Sequence, residues 1–205
     1  MVRILITGFE PFAGAHLNPS QLIVEALTET AIDGVELKTA VLPVEYDRSV
    51  QRAFELIEKF EPHAVLCLGQ AEGRTTISFE RVAVNLDDAR LADNGGEERL
   101  DQPIIVGGAT AYFTSLPVRE MLEAAKAAGV PASFSLSAGT FVCNHIFYSL
   151  RNALDEADIP VGFVHVPLVP EQVTATEFVG QPSMPLEQQV RGIRVAVQAL
   201  AESLQ

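Results

Sequence analysis

The chain has no tryptophan and only three methionines and two cysteines in 205 residues. Two cysteines cannot form a disulfide framework, and no Cys/His cluster has zinc spacing, which points to a reducing, cytoplasmic setting. Basic residues are scarce: 14 Lys and Arg face 27 Asp and Glu, a formal net charge of −13. That charge repels nucleic acid and anionic membrane surfaces, so neither is expected as a partner. No apolar run is long enough to cross a membrane. Residues 1–8 read as a first strand rather than a signal peptide. No repeat, low-complexity tract or linker interrupts the sequence, so residues 1–205 read as one catalytic-sized domain with a full core.

What is present is alternation. Apolar runs over 2–7, 35–43, 64–68, 132–137 and 161–166 read as strands. Helical spacing marks 20–30, 47–60, 117–129, 143–157 and 186–204. Residues 77–86 read as a strand or hairpin arm, 87–103 as a polar loop with room for a further arm, and 168–185 as a long loop. The expectation is a single-domain three-layer α/β/α sandwich around a mostly parallel, twisted sheet. In such folds ligands sit beyond the carboxyl ends of the strands. Gly8-Phe9, Gly69-Gln70, the segment leading to Cys143 and His165 would then converge.

The segment Ser137-Ala138-Gly139-Thr140-Phe141-Val142-Cys143-Asn144-His145 delivers a cysteine from a small-residue turn to the start of a helix. Unpaired N–H groups and the helix dipole there favour a thiolate, and the turn's amides suit a developing oxyanion. The alternative is a buried structural cysteine. A cysteine nucleophile needs an imidazole, and the imidazole a group that fixes its tautomer. His145 lies two residues from Cys143, nearly on the opposite helix face. His16 sits in the first loop and His63 at the wrong end of a strand. His165, ending a buried strand, is the best base. Glu80 sits inside a strand-like run where acids are depleted, which suits an orienter, although a salt bridge with Arg74 or Arg81, or an outward-facing edge position, would also explain it. Cys67, flanked by Leu66 and Leu68, reads as core filler. Arg90 reads as a loop charge unless its loop folds over the site.

Three stretches resemble the pyrrolidone carboxyl peptidases, also called pyroglutamyl peptidase I. They are Thr7-Gly8-Phe9-Glu10-Pro11-Phe12 with Asn18-Pro19-Ser20; Leu68-Gly69-Gln70-Ala71 through Glu80-Arg81-Val82-Ala83-Val84-Asn85 to Asp93-Asn94; and the cysteine motif with Gly162-Phe163-Val164-His165-Val166-Pro167. The resemblance covers nearly the whole chain. It implies a cysteine peptidase that removes N-terminal pyroglutamate from peptides through a triad of Glu80, Cys143 and His165, without metal or organic cofactor. Phe9 and Phe12 would wall the lactam and Val142 would close the pocket. Backbone groups, joined by Gln70, would read the lactam's polar edge. Arg90 would assist the oxyanion, and Asn18 would pin the first loop. A homo-oligomer, by resemblance a tetramer, is also implied. Two positions depart from the family: Ala13 stands where glycine is common, and Leu136 where asparagine is frequent. The first is expected to shift the loop carrying Phe12, the second to alter packing under the cysteine turn. Rival readings are a nucleoside phosphorylase on a similar scaffold, a ligand-binding domain without turnover, and a glutamine amidase.

Overall fold

The computed structural model describes residues 1–174 and 178–205. The middle of the loop expected over 168–185 thus lies outside the described residues. The elements run β1 (Val2–Phe9), α1 (Pro19–Thr28), β2 (Val35–Leu42), α2 (Tyr46–Phe60), β3 (Ala64–Gln70), β4 (Ile77–Glu80), β5 (Val82–Val84), β6 (Ala111–Phe113), α3 (Val118–Ala127), β7 (Ala132–Ser135), α4 (Val142–Leu154), β8 (Val161–Val166) and α5 (Leu186–Ser203). A 3₁₀ turn, Pro170–Val173, follows β8.

Six strands form the main sheet in the order β2-β1-β3-β8-β4-β7. The first four are parallel neighbours; β1, β3 and β8 are buried on both faces, matching their apolar runs, while β2 at the edge alternates half-buried and exposed residues. Two cores lie on its faces. One gathers Ile23 of α1, Met121 of α3 and Ile193 of α5 against Ile4 and Leu66. The other gathers Ala53 and Leu56 of α2 with Ile146 and Phe147 of α4 against Leu5 and Phe163. Helices thus cover both faces of a mostly parallel sheet, as the alternation predicts.

Three details differ from expectation. First, β4 runs antiparallel to β8, with Ser78 opposite His165 and Phe79 opposite Val164, and β7 follows β4's direction. Glu80 and the strand before Cys143 therefore do not point out of the same sheet end as Gln70 and His165. They reach that region because β4 is short and offset. Second, 77–86 is two strands, not one. Arg81 N–H donates to Ser135 of β7, while its carbonyl accepts from Thr114 beside β6, so the chain changes sheets at Arg81. Third, the second arm is β6, beyond the 87–103 loop, and it pairs antiparallel with β5.

Local signals explain the helix starts near the site. Asn18 caps α1, its Oδ1 accepting from Ser20 N–H at 3.0 Å, and Pro19 occupies the first turn, where a missing donor is harmless. The helix carrying the cysteine begins at Val142, one residue earlier than its sequence suggests, after extended Phe141.

Candidate active site

The ends of β1, β3 and β8, the turn before α4 and the loops after β1, β2 and β5 enclose a cleft of about 520 Å³. Phe9, Phe12, Asn18, Gln70, Val142, Cys143 and His165 all line it. Seven expected residues from distant parts of the sequence are therefore brought together.

His165 is buried, and its Nδ1 lies 2.8 Å from Glu80 Oε1. The pairing follows from register: Ser78 faces His165 across the β4–β8 seam, and Glu80, two residues on, is its diagonal neighbour on the same sheet face. A carboxylate can only accept, so Nδ1 carries the proton and Nε2 is the basic nitrogen. Glu80 is 0% exposed. Arg74 is its second partner, with Nη2 3.2 Å from the same Oε1. Arg74 also donates to the carbonyl of Ser137 at 3.2 Å, tying the acid to the cysteine turn. The salt bridge with Arg74 thus coexists with the histidine bond. Arg81 instead lies over the Phe134 ring, 5.2 Å from its centroid.

Cys143 stands in the first turn of α4 with its sulfur against Gly69. A β-carbon at position 69 would lie 2.8 Å from both Cys143 Sγ and Phe163 Cζ, so only glycine leaves the sulfur its seat. The expected thiolate is not what this setting favours. Burial pushes the Cys143 thiol up to about 12, the charge of Glu80 adds to this, and Arg74 opposes it. Cys143 is half-buried and lines the cleft, so the burial acts on it from the protein side. Cys67 is fully buried in the core, and burial pushes its thiol up to about 12.

The structure separates other candidates from the cleft. Arg90 is exposed and does not line it, whereas its neighbour Leu91 does. Asn18 is buried, its Nδ2 donating to the Glu10 carbonyl at 3.0 Å, so it pins the first loop as well as lining the cleft. His145 is buried away from the cleft against Asp87, at 2.8 Å, beside Arg99 and edge-on to Tyr46. His16 is exposed, and His63 Nδ1 accepts from Arg3 N–H at 3.0 Å. Ala13 adopts a φ of 52°, the left-handed region that favours glycine, so this departure falls on a strained position of the Phe12 loop. Leu136 is 74% exposed and does not pack under the cysteine turn, contrary to expectation.

Sequence reasoning missed Val44, Leu91, Phe141 and Phe178, which extend the apolar wall. Phe141 was the most accessible of these, because it adjoins Val142 and faces Phe12 at 6.2 Å between ring centroids. It also missed Gln172, whose Nε2 donates to Gln70 Oε1 at 2.9 Å. The described residues contain no helix long and apolar enough to cross a membrane.

This geometry can be set beside known proteins. The sequence model of the pyroglutamyl peptidase family matches residues 2–203. A pyrrolidone-carboxylate peptidase of Vibrio parahaemolyticus is 44% identical over 202 residues, 98% of this chain and 94% of the relative. One from Alkaliphilus oremlandii is 44% identical over 204 residues, with the same coverage of 98% and 94%. The crystal structure of Bacillus amyloliquefaciens pyroglutamyl peptidase I superposes with a TM-score of 0.94 at 36% identity, covering 98% of each chain. That of the pyrrolidone carboxyl peptidase of Fervidobacterium islandicum gives 0.93 at 36% identity, covering 98% of this chain and 99% of the other. With its family pattern matched almost end to end and its fold shared, the chain belongs to the pyroglutamyl peptidase family of hydrolases.

Proposed function

We propose that residues 1–205 act as one catalytic domain that removes N-terminal pyroglutamate from peptides, using Cys143 as nucleophile, His165 as base and acid, and Glu80 as orienter. The observation that carries this is the buried His165–Glu80 hydrogen bond at the edge of the cleft that holds Cys143. His165 Nε2 accepts the thiol proton as sulfur attacks the carbonyl joining pyroglutamate to the next residue. Amides of the α4 first turn face the oxyanion. The imidazolium then protonates the leaving amine, and a thioester remains on Cys143. Water, deprotonated by His165, hydrolyses the thioester, freeing pyroglutamate and the thiol. These steps use only the chain's own side chains and backbone amides, with water.

The cleft suits the ring. Pyroglutamate is a neutral lactam with two apolar faces, and Phe9, Phe12 and Val142 supply apolar walls with one polar reader, Gln70. A site built on hydrogen bonds to a ring carbonyl rejects a ring that lacks it. The relatives named above carry the same activity in their names, which supports the proposal. The proposal extends to a cytoplasmic homo-oligomer, a tetramer by family likeness, checked by light scattering. The decisive experiment is release of a fluorogenic amine from a pyroglutamyl amide, with the prolyl amide as control. Strong release from the first alone is expected; equal release from both, or release from neither, overturns the proposal.

A further inference from the structure

We propose that Gln172 fixes which end of the Gln70 side-chain amide faces the cleft, making it a reader of a ring carbonyl oxygen. This rests on the pyroglutamyl reading of the same cleft and names the residue that sets its polarity.

A glutamine amide is nearly symmetric in shape, with oxygen and nitrogen ends that differ only in hydrogen bonding. Its orientation is settled by partners whose own polarity cannot change. Gln172 has two. Val169 N–H, a donor only, bonds to Gln172 Oε1 at 3.0 Å. The Leu17 carbonyl, an acceptor only, takes Gln172 Nε2 at 3.3 Å. Gln172 is 4% exposed, so reversing its amide would set donor against donor and acceptor against acceptor away from water. Held this way, its Nε2 also donates to Gln70 Oε1 at 2.9 Å. The Gln70 oxygen is thereby engaged, and the Gln70 NH₂ is the end left for the cleft it lines.

The polarity runs from two backbone groups through Gln172 to Gln70 and the ligand. It joins three segments around the cleft: the loop before Asn18, the end of β3 and the turn after β8. An NH₂ facing the ring selects an acceptor. A lactam oxygen satisfies it, a thiolactam sulfur does so weakly, and a charged ring ammonium opposes it.

The test uses the intact chain and two probes, 2-pyrrolidone and pyrrolidine-2-thione, each scored by protection of Cys143 from iodoacetamide. For wild type, 2-pyrrolidone protects at about tenfold lower concentration than the thione, the scale of one neutral hydrogen bond. Gln172→Glu keeps an oxygen for Val169 N–H but turns its other oxygen on Gln70. The Gln70 amide then reverses and presents its oxygen. Half-protection by 2-pyrrolidone is expected to need about tenfold more, and the lactam-to-thiolactam preference to vanish. The unprotected alkylation rate should stay at wild type. Gln172→Met, which removes the pin without adding charge, should also abolish the preference. In turnover, KM for the pyroglutamyl amide rises in both variants and kcat holds. A preserved preference in either folded variant overturns the proposal. So does equal weakening of both probes, or a wild-type chain that 2-pyrrolidone fails to protect. If the preference and its loss are seen but no amine is released, this relay stands and the peptidase reading falls.

Discussion

Cys143 sits between opposing influences. The α4 terminus favours an anion by about 1 kcal/mol, at most about 2. Each pKa unit is worth about 1.4 kcal/mol, and burial with the Glu80 charge carries the thiol from 9.0 up to about 12, so the terminus loses. The free protein's alkylation by iodoacetamide is therefore expected to keep rising through neutral pH into the alkaline range. A rate already level below pH 7 would show a resting thiolate instead. Cys143→Ser, with a far less acidic nucleophile, should lose roughly a thousandfold or more in kcat while the thermal midpoint holds. Near-normal turnover would remove Cys143 from its role. Phe9 serves both cleft and core at 2% exposure, so Phe9→Ala should raise KM and also cost about 3 kcal/mol. Phe12→Ala, at a half-buried position, should raise KM with little change in the urea midpoint; unchanged KM in both variants would take the rings out of the pocket.

At the scale of elements, Asn144 shows how the cysteine helix holds its neighbours. It is fully buried, its Nδ2 donating to Val84 O at 2.9 Å and Leu86 O at 3.0 Å, and its Oδ1 accepting from Val84 N–H at 3.0 Å. One side chain thus imitates a strand partner for β5 and steadies the loop leading to Leu91. Asn144→Ala should destabilise the chain by about 2–4 kcal/mol and speed amide exchange at Val84, because buried backbone groups lose their partners. An unchanged urea midpoint would contradict this. Much of the fold was legible locally: β8 spans the residues its apolar run predicts, and α2 differs by one residue at its start. The β4 direction was not read, although a signal existed. Residues 71–76 are too few for a parallel crossover, which takes about a dozen. The short β6 hid because Ala111-Tyr112-Phe113 is too brief to show a period. At the site, Glu80, Cys143 and His165 stood out because each is anomalous where it lies. Val44 and Leu91 did not, since an apolar residue in a loop declares no purpose until the chain closes around it. Gln172 was invisible for the converse reason: its meaning resides in Leu17, Gln70 and Val169, which only folding assembles.

Across the whole molecule, ionisation ties stability to alkaline pH. Cys67 and Cys143 hold their protons to about 12 in the folded chain, against 9.0 ordinarily, and burial also raises Tyr46 and Tyr148. Between those values the folded state binds more protons than the unfolded, so stability falls as pH rises from about 9 toward 12. Below about pH 9 this contribution is fully present. The net charge of −13 grows in the same direction and adds self-repulsion. Urea midpoints should be level from neutral pH to about 8.5 and decline above it, and Cys67→Val should flatten the decline. A midpoint unchanged to pH 11 would refute the linkage. The β4–β8 seam carries a different consequence. Acid and base occupy adjacent ribbons joined at two rungs, Ser78 with His165 and Phe79 with Val164. Sliding one ribbon by a single residue would send Glu80 through to the opposite side. Under the proposed mechanism, the alignment of proton donor and acceptor is thus inherited from strand pairing in the interior, so lengthening or trimming the distant loops would leave it untouched while a one-residue insertion in β4 would erase it.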